Sequence, residues 1–202
     1  MNPIDAFRDL LLSLADVYAS EGREGAEEIS AAYRDGAGTA TPIPTLPYAP
    51  MDMSIIAATE GAKHPAAKAA RAAHSVLPWA RTGKLDEQIT EQVSGVFSVC
   101  LLVGPGGLVE SNNVVGGLFV QRSAAFYPAH AHAAEETYAL LAGSAEWQSD
   151  FGSWQQRETG DLIHHPSNVP HATRTRATPI LAAWRWSGDI RPETYRMVDA
   201  PA

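Results

Sequence analysis

The chain has 202 residues, of which 45% are hydrophobic and 19% charged, with a formal charge of −8 and a pI near 5.3. That length holds one domain, or one domain with an extension, and the composition excludes a disordered chain. The acidic balance argues against nucleic acid or an anionic membrane surface as a partner, because both call for clustered Lys and Arg. A single cysteine, Cys100, excludes an internal disulfide and leaves any metal site to histidines and carboxylates. Cys100 lies in the apolar run 96–103 and reads as a buried strand residue. The start, Met1 to Asp5, is acidic where a secretory signal would carry Lys or Arg. No apolar run approaches the roughly 20 residues of a membrane span, and the chain reads as cytoplasmic.

In chain order, the first half, 1–94, is Ala-rich and helical in pattern. Pro3 precedes Ile4, Phe7, Leu10, Leu11, Leu14 and Val17 at close to a 3.6-residue period, which predicts a helix with Pro in its first turn. A second helix is predicted over Glu24 to Arg34, ended by Gly36 and Gly38. Residues 36–50 are rich in Pro and Thr and read as an extended connector whose composition also suits a lid. A third helix is expected from His64 to Val76, stopped by Pro78, and a shorter one over Leu85 to Val93.

The second half, 95–202, changes period. Short apolar runs recur at 96–103, 114–121, 136–141, 145–148, 161–164 and 180–186, separated by Gly/Pro turns such as Gly104-Pro105-Gly106-Gly107. This pattern predicts a β sandwich or barrel. Pro105 also removes a backbone donor that a phosphate-binding loop would need.

Five of the seven histidines fall between 130 and 171. Read as one strand, the stretch from His130 to Tyr138 places His130, His132, Glu136 and Tyr138 on one face and turns Glu135 outward. Neutral imidazoles with a carboxylate suit one divalent ion, with Zn, Fe(II), Mn and Co all compatible. His130-x-His132, Glu136 and Gly143, followed by Gly160, Pro166 and His171, resemble the two motifs of the cupin family. Two positions depart: Ala124 and Asn168 stand where the family usually has Gly. Asn tolerates the left-handed backbone, so the second turn is expected to survive. The resemblance implies an antiparallel all-β cupin barrel, of the double-stranded β-helix or jelly-roll type, behind a helical N-terminal region. It also implies His130, His132, Glu136 and His171 as the metal ligands. His164 and His165, like His64 and His74, read as structural or solvent-facing.

Cupin metal sites host several chemistries, so the reaction must be read from other residues. Tyr138, two beyond Glu136 on the cavity face, is placed to act as a general base once a cation lowers its phenol pKa; a hydrogen-bonded core aromatic is the structural alternative. The wider run Phe126-Tyr127-Pro128-Ala129-His130-Ala131-His132, together with Glu136-Thr137-Tyr138, Gly143 to Trp147, His165-Pro166-Ser167, His171-Ala172-Thr173 and Ala183 to Asp189, resembles the cupin lyases of dimethylsulfoniopropionate (DMSP). The length suits their short Q-type members. The resemblance implies metal-dependent β-elimination to dimethyl sulfide and acrylate, with Tyr138 as the base. Tyr127, Trp184 and Trp186 would line the sulfonium pocket, since aromatic faces attract cations. The two tryptophans equally suit core packing. A cupin dioxygenase and a non-catalytic small-molecule-binding cupin are the competing readings. The helical half would cover the barrel mouth, dock on its outside or contribute to a homodimer.

Overall fold

The structure is a computed structural model that describes residues 2–42, 52–80, 93 and 95–201. Among the described residues helices α1 (Pro3–Ala19), α2 (Glu24–Thr39), α3 (Asp52–Thr59) and α4 (Pro65–Ala73) precede the strands β1 (Trp79–Ala80), β2 (Phe97–Val103), β3 (Val114–Gln121), β4 (Phe126–Ala131), β5 (Ala134–Ala142), β6 (Ser144–Ser149), β7 (Gln155–Glu158), β8 (Leu162–His165), β9 (His171–Arg174), β10 (Ile180–Gly188) and β11 (Arg196–Met197). No helix among the described residues is long and apolar enough to cross a membrane.

The strands form a six-stranded sheet in the order β1-β2-β3-β10-β5-β8 and a five-stranded sheet in the order β11-β4-β9-β6-β7. Paired strands run antiparallel. The two sheets face one another as the cupin barrel, and their inner faces share a core that includes Phe97, Phe119, Leu140, Trp147 and Ile163. Alternation decides which side each residue takes. On β5, Leu140 faces inward while Ala139 and Leu141 face out; on β10, Ala182 faces inward while Leu181 and Ala183 face out. That outer face of the six-stranded sheet is covered by the helices, so Phe7, Leu10, Leu14, Ile29 and Tyr33 join Cys100, Leu102, Leu118 and Val120 in a second core. The helical region therefore docks on the barrel's outside.

Helix α1 starts where predicted. Asn2 accepts a bond from the Ile4 amide at 3.1 Å, and Pro3 occupies the first turn, where its missing N–H costs nothing. His64 caps α4 by accepting from the Ala66 amide at 3.2 Å, a structural role for that histidine. Helix α2 corrects the expected boundary: it runs through Gly36 and Gly38 to Thr39. Gly36 is inside because a Cβ there would lie 2.3 Å from Cγ2 of Val109, so the residue permits close packing instead of ending the helix. The connector thus loses 36–39 to α2, and its lid reading over 43–50 lies outside the described residues. Helix α3 was not foreseen. The short helix expected over 85–93 also lies outside the described residues, apart from Val93, which sits in a turn.

Candidate active site

The stretch 130–138 is two strands rather than one. β4 ends at Ala131, the chain bends through His132 and Ala133, and β5 begins at Ala134 in the other sheet. The single-strand parity argument is corrected accordingly: His130 and His132 reach the interior from one sheet and its bend, Glu136 and Tyr138 from the facing sheet. His171 arrives on β9, paired with His130 on β4. The bend is held by the turn of the second motif, where the Asn168 amide donates to the His132 carbonyl at 2.8 Å and the Ser167 hydroxyl to the Ala133 carbonyl at 2.6 Å. Asn168 is left-handed at φ +62, as its substitution for Gly requires.

The ligand-type atoms of His130, His132, Glu136 and His171 all lie within 4.8 Å of one another, and all four residues are buried. The Nδ1 atoms of His130, His132 and His171 contact the carbonyls of Pro128, Ala134 and Val169 at 2.9, 3.0 and 3.0 Å. A carbonyl only accepts, so each Nδ1 carries the proton and each Nε2 presents a lone pair inward. Two of those lone pairs meet Oε2 of Glu136, at 3.3 Å from His132 and 3.0 Å from His171. Among the described residues His171 Nε2 has no hydrogen-bond partner. Lone pairs facing a carboxylate oxygen in a buried site are repulsive unless a cation lies among them, so the donor set suits one metal ion.

Burial alone would raise Glu136, but positive charge on the side of His132 and His171, where a cation would lie, holds its carboxyl well below the usual carboxylate range. Burial and the neighbouring His171 push His130 well below the ordinary imidazole value, keeping it neutral and able to ligate. Trp186 Nε1 donates to Oε1 of Glu136 at 2.7 Å and fixes the carboxylate through the oxygen that His132 and His171 do not meet. Its ring also packs 4.3 Å from that of His132.

The site opens into a cavity of about 150 Å³ whose lining includes Phe97, Phe119, Tyr127, His130, His132, Glu136, Tyr138, Trp184, Trp186, Ile190, Pro192 and Tyr195. Its lining is mainly apolar and contains no Lys or Arg among the described residues. Tyr138 is buried, and both burial and the adjacent Glu136 raise its phenol well above the ordinary value. Tyr127 stacks on His130 at 4.1 Å, and its hydroxyl lies 2.7 Å from that of Tyr195. Trp184 is half-buried, packs edge-on against Trp186 and donates to the Leu118 carbonyl at 3.3 Å.

His130, His132, Glu136, His171, Tyr138, Tyr127, Trp184 and Trp186 therefore lie in or beside one site. Tyr195 was missed because it follows the loop after β10, beyond any motif. Of the two readings of His165, structural or solvent-facing, the first holds: it is buried and stacked 4.0 Å from His171, with no hydrogen-bond partner for either ring nitrogen among the described residues. Glu135 turns away from the cavity as expected and bonds Arg185 behind the sheet at 3.2 Å.

Comparison with known proteins bears on this arrangement. The family model for DMSP lyase matches residues 24–182. The chain is 37% identical over 94 residues to the dimethylsulfoniopropionate lyase DddQ of Ruegeria pomeroyi, covering 46% of this chain and 47% of that protein. The chain thus spans about half the length of that curated relative in alignment. The crystal structure of DMSP lyase DddQ from Ruegeria pomeroyi DSS-3 superposes with a TM-score of 0.63 at 28% identity, over 92% of this chain and 93% of that one. A chain from the crystal structures of the DMSP lyases RdDddP and RnDddQII gives 0.68 at 23% identity, over 96% and 98%, which is a likeness of fold. Because the family match takes in α2, most of the barrel and all four metal-type residues, the chain belongs to the DMSP lyase family.

Proposed function

We propose that the chain cleaves DMSP to dimethyl sulfide and acrylate by β-elimination, with Tyr138 as the base. The observation that carries this reading is the placement of Tyr138 on the strand of Glu136, buried in the wall of an aromatic cavity that holds a metal-type cluster. The cavity is below the roughly 300–1,000 Å³ of drug-sized pockets, so it suits a small substrate. Among the described residues it offers no Lys or Arg for a carboxylate, which leaves the four-residue cluster as the anchoring point. When held by His130, His132, Glu136 and His171, a divalent ion supplies a Lewis acid for that carboxylate and favours the phenolate of Tyr138.

Tyr138 then takes the proton from the carbon next to the carboxylate. The C–H electron pair forms the new C=C bond as the C–S bond breaks, and sulfur leaves with that bond's electrons as neutral dimethyl sulfide. Tyr127, Trp184 and Trp186 supply aromatic wall around the sulfonium, where a cation–ring contact contributes roughly 0.5–2 kcal/mol. The mainly apolar wall also keeps water from the reacting carbon.

Headspace gas chromatography of purified protein mixed with DMSP, with and without chelator, tests the reading. Dimethyl sulfide is expected, and the chelator stops it. Tyr138→Phe is expected to retain metal and lose turnover; near-wild-type activity in that variant would remove the base assignment.

A further inference from the structure

The region behind the site holds a polar cluster that the proposed reaction does not use. Arg185 lies on β10 between Trp184 and Trp186, points to the opposite face and is 0% exposed. Its Nε donates to Glu21 Oε2 at 2.8 Å, and its Nη2 donates to Glu21 Oε1 and, at 3.2 Å, to Glu135 Oε1. Its Nη1 donates to the Ser187 hydroxyl at 3.0 Å. Glu21 comes from the turn between α1 and α2, and its Oε1 also accepts from the Thr137 hydroxyl at 2.6 Å. One carboxylate from the helical region therefore joins β5 to β10. It does so at the rung where Arg185 pairs with Thr137, between the rungs Trp186 with Glu136 and Trp184 with Tyr138. The turn is held close to the sheet: a Cβ on Gly25 would lie 2.1 Å from Ser187 Oγ.

Placement argues for more than stability. Further along the same outer face β5 carries Ala139 and Leu141, and β10 carries Ala183 and Leu181, all packed in the apolar core beneath the helices. Buried ion pairs seldom stabilise a fold more than well-packed apolar side chains would. The ionic cluster occupies only the stretch whose inner face carries Glu136, Tyr138, Trp184 and Trp186. Fully bonded groups of this kind fix geometry, because each donor and acceptor tolerates little displacement. We propose that Glu21 and Arg185 are positioning residues that hold β5 against β10, and thereby hold Glu136 on Trp186 and Tyr138 in the cavity. This rests on Glu136 being a metal ligand, as proposed above.

The test is Glu21→Gln, which keeps the shape and removes the charge, alone and combined with Trp186→Phe. Co²⁺ is the probe, its affinity and visible absorption spectrum being measured without substrate. About tenfold weaker Co²⁺ binding and a changed spectrum are expected of Glu21→Gln, in line with groups that support ligands from behind. The double variant should lose less affinity than the product of the two single losses, because both act through Glu136. A lowered Tm with unchanged Co²⁺ affinity and spectrum, or a loss in the double variant equal to that product, would mean that the cluster only stabilises the fold and would overturn the proposal. If Glu21→Gln does not fold, Thr137→Val, which deletes the β5 bond alone, is measured in the same two ways: weaker Co²⁺ binding with a changed spectrum supports the proposal, and no change in either overturns it. Failure to release dimethyl sulfide from DMSP would count against the lyase reading and leave these measurements standing.

Discussion

Trp186→Phe isolates the bond that orients the metal-type carboxylate. The replacement keeps a ring beside His132, 4.3 Å away in the wild type, and removes the indole N–H that reaches Glu136 Oε1 at 2.7 Å. That oxygen would be left buried without its donor, since the imidazoles face Oε2. A hydrogen bond to a charged group contributes about 1.5–3 kcal/mol. With about 1.4 kcal/mol per tenfold in an equilibrium constant, metal binding should weaken about 10–100-fold. Competition against a chromophoric chelator measures it, and circular dichroism checks that the fold is retained. An affinity within about twofold of wild type would show that the bond does not orient the ligand, and the argument from its geometry would fail.

Two further predictions concern the backbone and the metal-free state. Ala124 is exposed and left-handed at φ +52. That conformation costs an L-residue about 1–2 kcal/mol, partly offset in Ala124→Gly by the looser unfolded chain, so the variant should gain about 0.5–1 kcal/mol and about 2 °C in Tm by calorimetry. A lower Tm would refute the strain. In chelator-treated protein, His130 and His165 have pKa values held well below the ordinary imidazole value, first by burial and then by His171. As pH falls below about 6.5 the unfolded chain takes up those protons before the folded one does. Stability therefore falls on acidification, by up to about 1.4 kcal/mol per pH unit for each histidine, until the folded pKa values are reached. A Tm that stays flat from pH 7 to 5 would contradict this.

The metal-type residues were legible because local constraints tie them to spacing. Gly143 at φ +81, Gly160 at φ +103 and Asn168 at φ +62 sit where the chain must turn left-handed, so the motif positions follow from backbone geometry and survive an Asn in place of a Gly. The barrel's apolar runs were likewise visible as period and turn. β4 and β9 were less so: Pro128 interrupts one, His171 and Arg174 give the other a polar look, and neither forms an apolar run. The boundary of α2 failed for a related reason. A glycine is read as a helix stop by propensity, whereas Gly36 is demanded by Val109, a neighbour 73 positions away in sequence.

That failure shares its cause with the missed parts of the site. Tyr195 reaches Tyr127 from 68 residues away, and Glu21 reaches Arg185 from 164. A long-range contact leaves no periodic trace, because each partner alone satisfies the rules for its own segment: Glu21 is a plain turn residue, and Arg185 breaks an apolar strand for no local reason. The informative anomaly is Arg185, a charge at an outward position of a strand whose two preceding outward residues, Leu181 and Ala183, are apolar. A buried guanidinium requires a carboxylate partner, and the helical region supplies it. The helices that conceal the sheet's outer face thus also contribute, through Glu21, a bond directly behind the strands that carry Glu136 and Tyr138.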